Sequence, residues 1–104
     1  VDAVRYYLLA EIPSTEDGDF SQEKFNARYG GDLANGLGNL IARSAALGVR
    51  VSPLRYSVRA ISPLIRRAGG TIEKAYHADM KALSLHSAIH RAWELIGIAD
   101  RYIN

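Results

Sequence analysis

Apolar residues along the first dozen positions recur at Val4, Tyr7, Leu8 and Ile12, the spacing of one helical face, with Asp2 placed to cap its start. Pro13-Ser14 and Asp17-Gly18-Asp19 end that helix and make a turn. Asp19 or Ser21 then caps a second helix toward Tyr29, and Gly30-Gly31 predicts a break or kink. Asp32 is the expected cap of a third helix, about Leu33 to Leu47, closed by Gly48. Residues 49–62 alternate only weakly, and Pro53 argues against a central strand, so they read as an irregular connection. Ser62-Pro63 opens the next helix, running to about Leu83 and weakened at Gly69-Gly70. The last helix covers about Leu85 to Ile103, with Leu85, Ile89, Ala92, Trp93, Ile96, Ala99 and Ile103 as one continuous stripe. The expected class is all-α, an antiparallel helical bundle whose last helices are missing.

A wheel on the third helix separates two faces. Leu33, Leu37, Leu40, Ile41, Ser44 and Leu47 share an arc expected to be buried. Asn35, Asn39 and Arg43 lie opposite, with the small residues Gly36, Ala42 and Ala46 as low side walls. An Asn amide offers a donor and an acceptor side by side, matching a base edge, and Arg adds bidentate bonding or stacking. Unstacked RNA loop bases are read in this way. The same residues would also serve as a plain solvated helix face, and periodicity does not separate the two.

Charge sharpens the picture. The 104 residues carry a net charge of +2, unevenly spread. Residues 1–32 hold seven acids against three bases, whereas residues 33–72 hold six arginines and no acid. Arg43, Arg50, Arg55, Arg59, Arg66 and Arg67 make a wholly basic middle suited to an anionic partner such as RNA phosphate. With 48% hydrophobic and 23% charged residues the chain is globular in composition rather than disordered, and no apolar run approaches a membrane span of ~20 residues. Cysteine is absent, which excludes disulfides and thiolate zinc sites. No initiator Met or signal peptide precedes Val1, and both ends read as cut.

Catalytic groups are not in evidence: no Ser–His–Asp arrangement and no phosphate-cradling loop stands out. His86 and His90, at i,i+4, lack further nearby ligands beyond distant His77 and Asp79, so no metal site is expected. Trp93 sits on the apolar stripe and reads as a packing residue rather than a base-stacking platform. The tyrosines are scattered and read as packing residues with their hydroxyls at the surface.

Two stretches carry a resemblance. DAVRYYLLAEIPSTEDGDFSQEKF (Asp2–Phe25) resembles the segment after the catalytic core of methionyl-tRNA synthetases, and DLANGLGNLIARS (Asp32–Ser44) resembles the first helix of their anticodon-binding bundle. A weaker match, AIHRAWELIGIADRYIN (Ala88–Asn104), resembles a later bundle helix. The resemblance implies a division at residue 24: the end of a stem-contact element (1–24), then a truncated anticodon-binding bundle (25–104). Family members charge tRNA with methionine through a methionyl-adenylate and read the CAU anticodon with an Asn and an Arg four residues apart. Here those are Asn39 and Arg43, with Asn35 beside them; Arg50, Arg55, Arg59, Arg66 and Arg67 would hold the RNA backbone.

The fragment itself is then non-catalytic and needs no cofactor. ATP with magnesium, and methionine, belong to the parent enzyme, with zinc an open option. Its partners are the methionine-accepting tRNA and the missing catalytic domain and bundle helices of the parent, and its place is the cytoplasm. The family's anticodon-stacking Trp would follow Asn104, so Trp93 is not that residue. The competing readings are a non-enzymatic helical RNA- or protein-binding module, and a self-contained metal-dependent helical enzyme using His86 and His90.

Overall fold

The computed structural model describes residues 1–13, 15–50 and 61–103, and every described element is helical. Helix α1 spans Asp2–Glu11. Asp2 lies in its first turn rather than at its cap, where its charge still suits the helix dipole. Ile12, extended ahead of Pro13, ends the helix because a residue before proline disfavours the α region. The side chain of Ile12 folds onto Gly18, where any Cβ would lie 2.5 Å from it, so the turn closes only around glycine.

Tyr7 is fully buried and anchors that turn. Its ring meets Phe20 edge-on at 5.4 Å and Phe25 at 5.8 Å, and Phe25 in turn stacks with Tyr29 at 6.4 Å. This aromatic cluster joins α1 to helix α2, Gln22–Arg28, whose cap is Ser21: its Oγ accepts from the Lys24 amide.

Beyond Arg28 the chain departs from expectation. No break occurs at Gly30-Gly31. The helix continues as a π-helical segment, Tyr29–Gly38, and then as α3, Asn39–Arg50. Four glycines (Gly30, Gly31, Gly36 and Gly38) let the backbone adopt the wider ladder. Asp32 does not cap a new helix, because its carboxylate is taken by Tyr6 and Arg28. Nor does Gly48 close the helix, which runs on to Arg50.

Helix α4, Pro63–Lys81, starts with proline in its first turn and passes through Gly69-Gly70 unbroken. It ends in a Schellman turn: the Leu83 amide donates to Met80 and the Ser84 amide to Asp79. The left-handed position of that turn is Leu83, at φ 58°. A Cβ there is strained, so Leu83→Gly is expected to stabilise the hairpin by about 0.5–1 kcal/mol, seen as a raised melting temperature. An unchanged or lowered midpoint would mean that Leu83 contributes packing that outweighs the strain.

Helix α5, Leu85–Ile103, is the central element. Helices α1 and α4 pack antiparallel to it, and the π-helical segment and α3 run parallel to it, with Gly36, Arg43 and Leu47 facing Trp93, Asp100 and Ile103 in turn. Arg91 ties the α4–α5 hairpin through Asp79 at 3.1 Å.

The core is small for the chain. Tyr7, Ala10 and Ala88 are the fully buried apolar residues among those described. The accessible surface of 8069 Å² exceeds the ~5,800 Å² usual for a folded monomer of this mass. The face expected to be buried on α3 is therefore not: Ile41 is 58% exposed and Leu47 48%, while Leu33, Leu37 and Leu40 are half-buried. The wheel failed there because it assumed a covering neighbour: α3 meets α5 along the edge that carries Arg43 and Leu47, and residues 41–50 are exposed all round.

Candidate functional site

The wide ladder delivers the polar residues of interest to the surface. Asn35 lies exposed near the end of the π-helical segment, and Asn39, also exposed, opens α3. Arg43 follows one turn later, half-exposed, and its Nη1 donates to Asp100 Oδ1 of α5 at 3.4 Å. An ion pair this exposed adds little stability, about 0–1 kcal/mol, but it draws Arg43 toward α5. Arg43 and Arg50 then flank an open groove of about 280 Å³ floored by Ala46, Leu47 and Ile103. Of the expected side walls, Ala42 and Ala46 are open to solvent. Gly36 is not: the Trp93 ring lies 3.1 Å from where its Cβ would be.

The remaining arginines are distributed over other elements. Arg66 and Arg67 stand exposed on the first turns of α4, and Arg67 borders an apolar groove with Leu64, Ala68, Thr71 and Ile72. Arg55 and Arg59 lie outside the described residues, as does most of the connection read at 49–62. Arg101 was not singled out by charge patterning. It borders a neighbouring groove with Leu64, Ile98 and an exposed Tyr102. Nor could sequence have paired Arg43 with Asp100, 57 residues away.

A second polar group, also missed, lies where α1, α2 and the π-helical segment meet. Tyr6 Oη donates to Asp32 Oδ2 at 2.6 Å, and Arg28 donates to both Asp32, at 3.3 Å, and Glu11, at 2.9 Å. Lys24 adds a looser contact to Glu11 at 3.7 Å. Burial, reinforced by the Asp32 carboxylate, raises the Tyr6 phenol above its ordinary range and keeps it a donor. Arg28 holds the Glu11 carboxyl below its ordinary value of 4.5. A depressed carboxylate contributes stability above its unfolded value and loses it as pH falls through the folded one. The α1–α2 junction is therefore expected to weaken below about pH 4.5, and Glu11→Gln to flatten that acid limb in a urea-melt series. An acid limb unchanged by Glu11→Gln would remove Glu11 as its source.

His86 and His90 pack ring to ring at 4.5 Å, and His86 Nδ1 lies 3.3 Å from the Leu9 carbonyl, so their contacts are to each other and to α1. Among the described residues no three His, Cys, Asp or Glu side chains gather as a metal-holding group. Trp93, half-buried, meets Tyr6 edge-on at 6.0 Å and covers Gly36, which commits its ring to the junction. No described helix is long and apolar enough to cross a membrane.

Comparison with known proteins gives this geometry a setting. The family described as "tRNA synthetases class I (M)" matches residues 1–45. The methionine–tRNA ligase of Clostridium tetani is 38% identical over 109 residues, an alignment covering 99% of this chain and 17% of that protein. Those of Enterococcus faecalis and Mycobacterium tuberculosis (strain H37Rv) are 34% and 37% identical, each covering 100% of this chain and 16% and 21% of their own length. The chain thus spans 16% to 21% of the length of these curated relatives.

Proposed function

Because this chain belongs to the methionyl-tRNA synthetase family, matched from end to end, we propose that it is the anticodon-reading part of an enzyme that charges tRNA with methionine. The observation that carries this reading is the exposed run Asn35, Asn39 and Arg43, rising one turn apart from the π-helical segment into α3. Two amides and a guanidinium in that order can bond the edges of CAU bases splayed from the loop. Arg50, Arg66 and Arg67 stand exposed on the same helices or the next, suited to the loop's phosphates. On this reading, residues 1–24 end the element that contacts the inner bend of the tRNA, and the bundle from residue 25 presents the reading face.

The ATP and methionine chemistry of such an enzyme finds no fit among the described residues. The glycines of the π-helical segment do not follow a strand, and among the described residues His86, which meets α1, and His90 beside it have no third ligand. No step of adenylate formation is assigned to this chain; its own work is to bind and orient RNA.

The test is fluorescence anisotropy of a labelled CAU anticodon stem-loop against a loop with a changed anticodon, at two salt concentrations. A preference for CAU that persists at the higher salt supports the reading. Equal binding of both loops would replace it with a general helical RNA-binding module, and no binding of either with a protein-binding one.

A further inference from the structure

A π-helix is the rarer, poorly stabilised form of the chain and usually lasts a single turn. Here it lasts ten residues, Tyr29–Gly38, so contacts from outside it must hold it. Two such contacts grip it four residues apart. Tyr6 of α1 donates its hydroxyl to Asp32 at 2.6 Å, and Trp93 of α5 presses its ring onto Gly36, where a Cβ would be only 3.1 Å away. Tyr6 and Trp93 also meet each other edge-on, closing a bracket around the segment. Asn39 is the first residue past the π-helical segment so held.

If the segment relaxed to an α-helix, the extra residue per turn would vanish and α3 would rotate about its axis relative to α5. Arg43 would then leave Asp100, and Asn39 and Arg43 would face a different way. We propose that Tyr6 is a positioning residue for base recognition: through Asp32, and with Trp93 seated on Gly36, it holds the register that aims Asn39 and Arg43 at RNA. The inference rests on the anticodon reading above, and adds that selectivity is set from α1, a helix that carries none of the base-reading side chains.

Tyr6→Phe removes the hydroxyl and keeps the ring against Trp93. In the complete protein carrying this chain, two readouts are needed: amide hydrogen exchange across residues 29–50, measured without RNA, and the CAU preference of the loop titration. The expected result is faster exchange confined to the π-helical segment and the start of α3, unchanged overall helix content, and a CAU preference reduced about tenfold. Asp32→Asn, which retains an acceptor for Tyr6, should preserve more of that preference than Asp32→Ala. Unchanged exchange in Tyr6→Phe would overturn the register role, whatever RNA does. Altered exchange with an intact CAU preference would overturn the link to recognition. If the unmodified protein shows no CAU preference, the functional reading itself has failed, and the positioning role for recognition falls with it.

Discussion

Replacing Tyr7 with alanine is expected to destabilise the chain by about 3–5 kcal/mol, enough to open the α1–α2 junction at ambient temperature. Tyr7 is fully buried, and its ring is the common partner of Phe20 and Phe25. Its removal would leave a void beside both rings, and inward movement of Phe20, which is 58% exposed, would set the cost toward the lower end of that range. The hydroxyl matters far less, since its bond to the Asp19 carbonyl is long at 3.5 Å. Tyr7→Phe should therefore cost under about 1 kcal/mol, typical of one weak hydrogen bond. Urea melts followed by circular dichroism separate the two substitutions. A destabilisation below about 1 kcal/mol for Tyr7→Ala would mean that the aromatic cluster is not what holds α1 in place.

The second large effect is on RNA. Each well-made base contact is worth about 1–3 kcal/mol, roughly 5- to 150-fold in affinity. Asn39→Ala and Arg43→Ala are each expected to remove that much from binding of the CAU loop while leaving the changed-anticodon loop nearly untouched. Arg66→Ala and Arg67→Ala should weaken both loops alike and lower the slope of log affinity against log salt by about one unit for each phosphate no longer neutralised. The contrast is the informative part. If Asn39→Ala reduces both loops equally, Asn39 is not reading a base; if Arg66→Ala erases the preference, the reading face has been put on the wrong helix.

Much of the helical layout was legible because it rests on local rules. The Leu85–Ile103 stripe, the Ser62-Pro63 start and the Ser21 cap each depend on residues within one or two turns, and the structure has helices beginning and ending there. The π-helical segment was not legible, and the reason is specific. Gly30-Gly31 signals weak α-helix, but nothing nearby says whether the chain breaks or widens. That outcome depends on Tyr6, 26 residues before Asp32, and on Trp93, 57 residues after Gly36. The wheel on α3 failed for a separate reason, the lack of a covering neighbour over residues 41–50. It grouped Asn35, Asn39 and Arg43 correctly as polar, yet set Ile41 and Leu47 in a core that does not enclose them. Arg43 likewise looked open until Asp100 was placed beside it.

The unusually large surface has a thermal consequence. Heat capacity rises on unfolding mainly because apolar groups become newly hydrated. In this chain Ile41, Leu47, Leu64 and Tyr102 already meet water while folded, so unfolding hydrates comparatively little more. The increment should fall below the ~1.2–1.5 kcal/mol/K usual for 100 residues, which flattens the dependence of stability on temperature. The same shortage of buried surface lowers the unfolding enthalpy, which broadens the thermal transition, and any surface that covers those side chains would sharpen it.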